Sequence, residues 1–590
     1  MRKTKIILPA ILIIAIVISA FFPCLENNFI DNWDDQGYVT NNPVVKNLSF
    51  RNVELAFTSF FIANYQPITI LTYILEYHFF KLDPFGYHLA SLILHTLNCL
   101  LVFWLIYLLA GKASIAFLTS LLFGIHPLRV ESVAWVSETK DVLYAFFFLS
   151  SLVSYYYYRE RKEAKYYLAS LCLFILSLLS KAMAITLPLI LLLMDYLKRR
   201  KIEKKMFTEK IPFFALSFLF GALALYAQYS IGAVRKGFLL SIMEKFTLPC
   251  YSIIFYIYKL IFPLNLSCFY PYMPTKDIFL FFYPAIAVIC LLVVIILSGK
   301  YTRKIIFGSL FFLICILPVL QFVPIGQTIA ADRYTYIPSV GILYLFSTGF
   351  IWFFSKKLKY NRIIKATLLI AVIGITVFFS ILTWQRCQVW KDSLALWDDA
   401  LNKYPYSAFT LYNRGNALFN KRQYDAAYLD FINASVIEPK FVLPRINLAN
   451  FDIIAGRYKE AISTINRIIK EHPEELAAYE VLAVAYSMSG DHAQELRVNK
   501  QITEKKPGYA QGFFNLCNAY INTQNFQKAI NACQKAAELD PSLASAEMHL
   551  AMLYHNTKQH DLAILHYDKA IKLGYPADPE FLKSLKAYQK

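Results

Sequence analysis

Long apolar runs recur along the first two thirds of the chain and then stop. Apolar segments of about 17 to 25 residues, enough to cross a bilayer as helices, follow one another from residue 5 to about residue 384. Beyond that point no run is long enough. The pattern predicts about eleven membrane-spanning helices. We expect them near 5–24, 88–110, 112–127, 141–158, 166–181, 183–197, 211–232, 278–298, 305–323, 336–355 and 365–384.

The C-terminal third has a repeating pattern of its own in place of long apolar runs. Prolines recur there every 34 residues, the length of the tetratricopeptide repeat (TPR), a unit of two helices. These prolines are Pro405, Pro439, Pro473, Pro507 and Pro541, and Pro576 follows one residue late. Glu495 and Asn499 occupy packing positions in the repeat that ends at Pro507, so its helices are expected to pack loosely. The period predicts an α-solenoid that binds a peptide or protein, or that only spaces or oligomerises the chain.

The fold class predicted for the whole chain is all-α. A polytopic transmembrane bundle is expected over 1–385, and the TPR domain over 386–590. Composition agrees with this division, since 57% of the 590 residues are hydrophobic, only 17% are charged and the mean hydropathy is +0.44. Soluble globular proteins carry about 25% charged residues. Most of the apolar surplus is therefore expected to face lipid.

The net charge of +19 argues for membrane topology rather than for nucleic-acid binding. Basic and acidic residues nearly balance from residue 388 onward, so the positive excess lies in the membrane half. It is concentrated in short loops, which the positive-inside rule places in the cytoplasm. These loops are residues 2–5, 159–165, 198–205, 300–304 and 356–362. Nucleic acid is therefore not expected as a partner.

If the N-terminus is cytoplasmic, all of these basic loops lie on the cytoplasmic side of the membrane. This topology places the TPR domain and three loops on the non-cytoplasmic side, and we call them the first (25–87), second (127–140) and third (324–335) outer loops. The apolar stretch 246–262 would break this alternation if it crossed the membrane. Because it is short and is closed by Pro263, it can instead be re-entrant or interfacial.

Two adjacent carboxylates, Asp34 and Asp35, lie in the first outer loop a few residues after the first span. A carboxylate at this position could deprotonate an acceptor hydroxyl. It could also hold a divalent cation against a phosphate. The commoner alternative for an Asp-Asp pair is a solvated loop or a helix cap.

The second outer loop is densely charged for a link between two spans. Arg129 and Lys140 could neutralise a lipid-linked phosphate. Glu138 or Asp141 could orient an acceptor or stabilise a metal ion. The alternative is that this loop anchors the protein at the interface and that Asp141 caps the following helix.

The third outer loop adds further candidates just before the tenth span. Arg333 could clamp a phosphate, and Asp332 and Tyr334 flank it. His126 and Glu131 of the second loop complete the set of candidate residues. The three loops are expected to converge on one face of the membrane, where a sugar-phosphate lipid could enter from the bilayer.

The ten cysteines are scattered without a CxxC pair, so neither a zinc site nor a disulfide framework is predicted. Cys517 and Cys533 fall at small-residue packing positions of the repeats and are expected to be buried thiols. The first apolar segment follows a basic start and is expected to be retained as an anchor, because no convincing Ala-x-Ala cleavage site follows it.

Several loop motifs together resemble one family. They are Trp33-Asp34-Asp35, Tyr65-Gln66-Pro67-Ile68-Thr69, Pro84-Phe85-Gly86-Tyr87-His88, His126 to Asp141, Asp332 to Pro338, and Trp390-Lys391-Asp392-Ser393. On these motifs, which span almost the whole chain in family order, the sequence resembles the transmembrane and tetratricopeptide-repeat containing family. That family is a branch of the GT-C membrane glycosyltransferases.

The resemblance implies a GT-C fold in which a polyprenyl-phosphate sugar donates to an acceptor on the non-cytoplasmic side. The transfer would invert the anomeric centre without a covalent intermediate. By matching motif, Asp34 and Asp35 would supply the base. Glu138 and Asp141 would be supporting acids. The donor phosphate would be contacted by Arg129, Lys140 and Arg333. A divalent cation (Mg²⁺ or Mn²⁺) at Asp34 and Asp35 is possible, but the family resemblance does not imply one, because GT-C enzymes differ in metal use.

The leading hypothesis is a transferase that moves mannose or another hexose to Ser or Thr of proteins bound by the TPR domain. The alternatives are transfer to lipid or polysaccharide, and a non-enzymatic membrane scaffold. The Ile- and Lys-rich composition favours a bacterial inner membrane with periplasmic repeats. An endoplasmic-reticulum membrane with luminal repeats is the other interpretation.

Overall fold

The computed structural model describes residues 4–230, 242–272, 279–322, 328–356 and 361–586. The predicted third outer loop is thus described only from residue 328, and part of the basic loop 356–362 also lies outside the described residues. The chain divides into two compact units, Met1–Pro405 and Tyr406–Lys590.

This boundary lies later than the predicted one after residue 385, because the segment that follows the last apolar helix packs within the first unit. Asn28 N donates to Lys391 O at 2.8 Å, and Asn27 Nδ2 donates to Cys387 O at 3.1 Å. The segment 387–405 therefore belongs with the first outer loop.

Helices make up most of the described part of the first unit. They are α1 (Thr4–Phe21), α2 (Phe50–Thr58), α3 (Pro67–Phe80), α4 (Pro84–Ala110), α5 (Ala113–Gly124), α6 (Val130–Ala134), α7 (Thr139–Arg161), α8 (Ala164–Ser180), α9 (Leu187–Leu197), α10 (Lys204–Thr208), α11 (Ile211–Ser230), α12 (Ile242–Ile261), α13 (Phe279–Ser298), α14 (Arg303–Ile316), α15 (Ser339–Phe354), α16 (Asn361–Val389) and α17 (Ser393–Lys403). Two short strands, β1 (Tyr270–Pro271) and β2 (Thr328–Ala330), pair antiparallel.

Local sequence signals set the ends of the long helix α4. Pro84 occupies its first turn, where its missing N–H costs no helical hydrogen bond, and Asp83 Oδ1 accepts from Phe85 N at 3.1 Å. Gly111 ends the helix with a φ of +68°, a conformation that glycine adopts without strain. The helix that carries the chain back from the first outer loop is thus defined at both ends.

Four helices in the described ranges are long and apolar enough to cross a membrane, which makes the chain a membrane protein. They are Ile6–Glu26, Pro84–Ala110, Lys204–Tyr229 and Arg362–Val389. A fifth span arises if Ala113–Gly124 and Pro127–Ala134, bent by 59°, are taken together. Other predicted spans coincide with shorter apolar helices, such as Ala164–Ser180. The total of about eleven spans stays a prediction.

The stretch 246–262 lies in α12 up to the last residue of this helix, Ile261, and α12 is a single helix of 20 residues that contains Pro249. Its Lys259 Nζ donates to Leu264 O at 2.7 Å and to Asn265 O at 3.1 Å, so the cation closes the turn beyond the helix. The re-entrant or interfacial placement of this stretch stays a prediction.

The second unit consists of helix pairs with the predicted period. The pairs are α18 (Ala408–Asn420) and α19 (Tyr424–Ile437), α20 (Val442–Ile454) and α21 (Tyr458–Glu471), α22 (Leu476–Met488) and α23 (His492–Lys505), α24 (Ala510–Asn522) and α25 (Phe526–Leu539), and α26 (Ala544–Asn556) and α27 (His560–Lys572), followed by α28 (Pro579–Lys586). Small residues let the paired helices approach. A Cβ added at Gly415 would lie 2.7 Å from the Phe431 ring.

The expected loose packing around Glu495 and Asn499 is wrong. Both side chains are buried, and Val498 and Ile502 beside them are buried as well. Glu495 is accommodated because Asn522 Nδ2 donates to its Oε2 at 3.0 Å. Polar pairing replaces apolar packing at this position of the repeat.

The prediction that Cys517 and Cys533 are separate thiols is also wrong, because the two residues form a disulfide. They face each other across the α24–α25 pair with their Cα atoms 5.3 Å apart, within the range that a disulfide bridges. Their 16-residue separation contains no recognisable cysteine motif. Only the antiparallel packing of the two helices brings them together.

Candidate active site in the outer loops

Asp35 is a structural carboxylate that ties the first outer loop to the second. Its Oδ2 accepts from Ile30 N at 2.8 Å, and its Oδ1 accepts from Ser137 N at 2.9 Å and from Ser137 Oγ. The side chain is fully buried. Burial raises the pKa of Asp35 to about 6, although these hydrogen bonds oppose the rise.

Asp34 has a different environment, although it is the adjacent residue. It is partly exposed and interacts electrostatically with the charged residues of the other outer loops, including Lys140 and Arg333. Burial raises the pKa of Asp34, and the nearby cations act in the opposite direction. Of the two predicted carboxylates, Asp34 is therefore the one that is partly accessible and interacts with the cations of the other loops.

Glu138 is the centre of an ion-pair network on the second outer loop. Lys140 Nζ lies 3.2 Å from its Oε1, and Lys181 Nζ lies 3.0 Å from its Oε2. Arg333 Nε lies 3.1 Å from Oε1. Burial alone would raise the pKa of Glu138, but these three cations outweigh burial and lower it. Glu138 thus holds the cations of three chain segments at one point.

Glu131 and Asp141 extend the network on either side. Arg333 N donates to Glu131 Oε2 at 3.0 Å, and Arg333 Nη1 pairs with Oε1 of the same carboxylate. Lys181 Nζ lies 2.6 Å from Asp141 Oδ1. The structure therefore brings together Asp34 with six other charged groups. These are Glu131, Glu138, Asp141, Lys140, Lys181 and Arg333.

Lys181 was not predicted as a site residue. It follows α8 and lies in the turn between two apolar helices, where the predicted topology places the non-cytoplasmic face. A lone lysine at an outer turn opposes the positive-inside rule. A lysine in a short outer turn was therefore the sequence signal that could have identified Lys181 as a site residue.

Two predicted site residues, His126 and Arg129, are fully buried. His126 is fully buried, and its Nε2 lies 3.0 Å from Leu260 O, in the last turn of α12. Arg129 is also fully buried, with its Nη2 donating to Thr335 Oγ1 at 2.8 Å and its guanidinium 5.4 Å from the Tyr336 ring centre. Arg129 therefore joins the second and third outer loops.

The remaining predicted residues of the third outer loop lie beside the network. Asp332 is buried and accepts from Tyr270 OH at 2.8 Å, next to the β1–β2 pair. Tyr334 lies under Arg333, with the guanidinium 4.9 Å from its ring centre. These contacts orient Arg333, which reaches Glu131 and Glu138.

Four tryptophans pack against one another next to Asp34. Trp33 stacks on Trp135 at 4.2 Å between ring centres and lies 5.0 Å from Trp397. Trp390 lies 5.5 Å from Trp135. Trp397 Nε1 also donates to Asn32 Oδ1 at 3.1 Å. The residue before Asp34 is thus held by the second outer loop and by α17.

The acidic residues of the described outer loops do not suit a metal ion. In the part of the chain that the structure describes, no group of three or more His, Cys, Asp or Glu is arranged to hold one. Asp35, one of the two proposed ligands, already accepts three hydrogen bonds. Lysine and arginine side chains pair with Glu131, Glu138 and Asp141. The donor set present therefore does not fit a divalent cation.

Comparison with known proteins gives matches for both parts of the chain. Family models described as tetratricopeptide repeat match residues 455–510, 510–543 and 545–573. A protein O-mannosyl-transferase of Caenorhabditis elegans is 26% identical over 462 residues, which cover 73% of this chain and 63% of the relative. The human protein O-mannosyl-transferase TMTC3 is 22% identical over 539 residues, which cover 81% of this chain and 57% of the relative.

The chain thus spans less than two thirds of the length of these relatives. Among solved structures, a thermophilic TPR protein of Thermus thermophilus aligns with 31% of this chain and 98% of its own, at 22% identity and a TM-score of 0.27.

Proposed function

We propose that this chain, a relative of the transmembrane and tetratricopeptide-repeat containing family, is an integral-membrane glycosyltransferase of GT-C type. It transfers a sugar, mannose or another hexose, from a polyprenyl phosphate to Ser or Thr of protein acceptors. The observation that carries the proposal is the partly exposed Asp34 beside Lys140, Lys181 and Arg333, where four chain segments meet. The names of the relatives support protein O-glycosylation.

In the proposed reaction Asp34 accepts the proton of the acceptor hydroxyl. The hydroxyl oxygen attacks the anomeric carbon as the bond from that carbon to the phosphate oxygen breaks. Polyprenyl phosphate leaves with the bonding electrons, and the anomeric centre is inverted. A general base at this step contributes about 10²- to 10⁴-fold to the rate.

The cations stabilise the charge that develops on the departing phosphate. Lys140, Lys181 and Arg333 converge on Glu138, which holds them within 3.2 Å of its carboxylate. Such preorganised charges need no rearrangement as the bond breaks, which is how electrostatic catalysis lowers a barrier. Asp35 acts as a positioning residue, because its oxygens already accept from Ile30 and Ser137.

The Cys517–Cys533 disulfide supports a non-cytoplasmic TPR domain, since disulfides persist in oxidising compartments. We place the domain in the periplasm of a bacterial inner membrane, with the endoplasmic-reticulum lumen as the alternative. There the repeats would present protein acceptors to the outer loops. Tandem binding of this kind raises the effective acceptor concentration.

The test is transfer of radiolabelled sugar from polyprenyl-phosphate donors to membrane proteins, with variants of equal abundance. Asp34→Asn is expected to lower transfer by about 100-fold or more, because the base is lost. Asp31→Asn is the matched control, since Asp31 is exposed in the same loop. Full transfer by Asp34→Asn would exclude Asp34 as the base. An absence of transfer from every donor by the wild type would remove the enzyme proposal and favour a scaffold.

A further inference from the structure

Two of the basic loops that the sequence predicts to be cytoplasmic lie side by side in the first unit. One covers residues 198–205 after α9, and the other covers residues 300–304 between α13 and α14. Arg303 Nη1 donates to Tyr196 O at 2.9 Å, and its guanidinium lies 4.9 Å from the centre of the Tyr196 ring. The two loops therefore form one surface, which we call the basic surface, although Tyr196 and Arg303 are 107 residues apart in the chain.

Part of the positive charge in this region is neutralised inside the fold. Arg200 Nη1 lies 3.0 Å from Asp195 Oδ2, and Lys210 Nζ lies 2.6 Å from the same oxygen. Arg200 also pairs with Glu209, and Arg159 Nε lies 3.2 Å from Asp195 Oδ1. These cations hold α7, α9 and α11 together and are not available to a ligand.

The other cations of the two loops point outward. Glu203 is the only acidic residue in either loop. Six exposed cations have no carboxylate partner within the part of the chain that the structure describes. They are Arg199, Lys201, Lys204, Lys205, Lys300 and Lys304. The basic surface therefore has an unneutralised positive charge that suits an anionic partner.

Apolar and aromatic side chains lie among these cations. Ile202 is 83% exposed, Phe207 is 52% exposed and Tyr301 is 88% exposed. Large apolar side chains that cluster on a surface indicate a partner that covers them. The partner is therefore expected to offer apolar groups as well as negative charge.

The position of the basic surface indicates which partner has both properties. Lys204 begins the candidate span Lys204–Tyr229, and Lys300 follows the apolar helix Phe282–Ser298. Cations at the ends of such helices lie at the level of the lipid headgroups, and neighbouring aromatic side chains reach the acyl chains. Nucleic acid could pair with the cations, but it would give Ile202 no apolar neighbour.

We propose that the basic surface binds the headgroups of anionic phospholipids, and that Ile202, Phe207 and Tyr301 insert beside these headgroups. Each basic residue near an anionic membrane surface adds about 5-fold to the binding constant. Because cations of two loops face the same lipids, both loops should contribute to the preference. This inference does not depend on the proposed function.

The test measures which phospholipids stay bound to the full chain. Native mass spectrometry is applied after release from nanodiscs of equal parts phosphatidylglycerol and phosphatidylcholine. The wild type is expected to retain the anionic lipid over the zwitterionic one by about 10-fold or more. Lys204→Gln/Lys205→Gln and Lys300→Gln/Lys304→Gln should each lower this ratio by about 5-fold or more, because each pair removes two cations. Lys204→Arg/Lys205→Arg should keep the ratio, since it keeps the charge.

Arg51→Gln/Lys81→Gln is the matched control. It removes two exposed cations from the first outer loop, on the opposite face of the predicted topology. The ratio of the two retained lipids should not change in this variant. A decrease equal to that of the Gln pairs of the basic surface would show a response to net charge alone and would overturn the proposal.

The other outcomes also decide the matter. Equal retention of the two lipids by the wild type would exclude a preference for anionic headgroups. An unchanged ratio in both Gln pairs would remove the basic surface as the source of a preference. If single-stranded RNA binds the wild type and not these pairs, while the lipid ratio stays the same in all of them, the surface binds nucleic acid and the proposal fails.

Discussion

Neighbouring residues of the same type have different roles here because burial and hydrogen bonding differ from one position to the next. Asp35 is enclosed and accepts from Ser137 and Ile30, whereas Asp34 is partly exposed beside Lys140. Both oxygens of Asp35 are buried and already accept from donors, so they are not available to an acceptor hydroxyl. The two carboxylates of this dipeptide therefore differ in accessibility, and in the proposed mechanism only Asp34 acts as the base.

Glu76 on α3 is a residue for which the structure predicts a pH dependence. Its side chain is buried, neither oxygen has a hydrogen-bond partner among the described residues, and burial raises its pKa well above the usual 4.5. Above about pH 4.5, Glu76 therefore keeps its proton in the folded state and loses it in the unfolded state. The free energy of unfolding should fall as pH rises, by up to about 1.4 kcal/mol per pH unit.

Glu76→Gln cannot ionise, so it should lack this decline. Its melting temperature is expected to exceed that of the wild type by a margin that grows from about pH 5 to about pH 8. Glu54→Gln, an exposed substitution on α2, should follow the wild-type profile. Parallel melting curves for Glu76→Gln and the wild type over this range would contradict the raised pKa.

At the scale of elements, the site is a junction of loops rather than a product of any single helix. Arg333 joins the third outer loop to Glu131 and Glu138 of the second, and Ser137 joins the second to the first. The turn after α8 adds Lys181. Because side chains of each loop form hydrogen bonds or ion pairs with the other loops, a substitution in one loop is expected to disturb all of them.

The helix pair α24–α25 allows a test at the same scale. Replacing Cys517 and Cys533 together by Ala removes a cross-link that closes a 16-residue separation. The repeats are expected to lose about 2 to 4 kcal/mol of stability, because the unfolded chain regains conformational freedom. Denaturant unfolding of the full chain measures the loss. Cys172→Ala, at an exposed free cysteine, is the control.

The disulfide can also be checked directly in cells. The wild type should resist alkylation at Cys517 and Cys533 until it is reduced. Rapid alkylation of both thiols in unreduced membranes would contradict the bond and, with it, the support for an oxidising compartment.

At the scale of the whole molecule, the chain consists of a membrane unit that contains the site and a separate TPR unit. The network from Asp34 to Arg333 lies wholly within Met1–Pro405. The chemistry should therefore need only the first unit. The second unit should matter for which acceptors are used.

Ending the chain after Pro405 separates these contributions. The shortened protein is expected to transfer sugar to short Ser/Thr peptides at high concentration, and to modify protein acceptors about 10-fold or more slowly, since repeat-mediated binding is lost. Parallel assays with peptide and protein acceptors measure the ratio. An unchanged ratio would show that the repeats do not present acceptors.

The sequence by itself determined the classes of element and indicated a resemblance to one family. Apolar runs of bilayer length and a proline period of 34 residues report on local structure, which each segment carries on its own. The family resemblance, confirmed by the relatives, placed Asp34, Glu138, Asp141, Lys140 and Arg333 among the candidates, and the structure brings all of them together. Their catalytic and binding roles stay predictions.

Only the tertiary structure decided which of these candidates are accessible and what joins them. Burial and partner geometry depend on segments far apart in the chain, as in the hydrogen bond between Asp35 and Ser137 or the Lys181 ion pairs. For the same reason the Cys517–Cys533 disulfide and the burial of His126 and Arg129 could not be predicted from spacing. Sequence patterns record which residues are near in the chain, whereas the chemistry of a site depends on which residues are near in space.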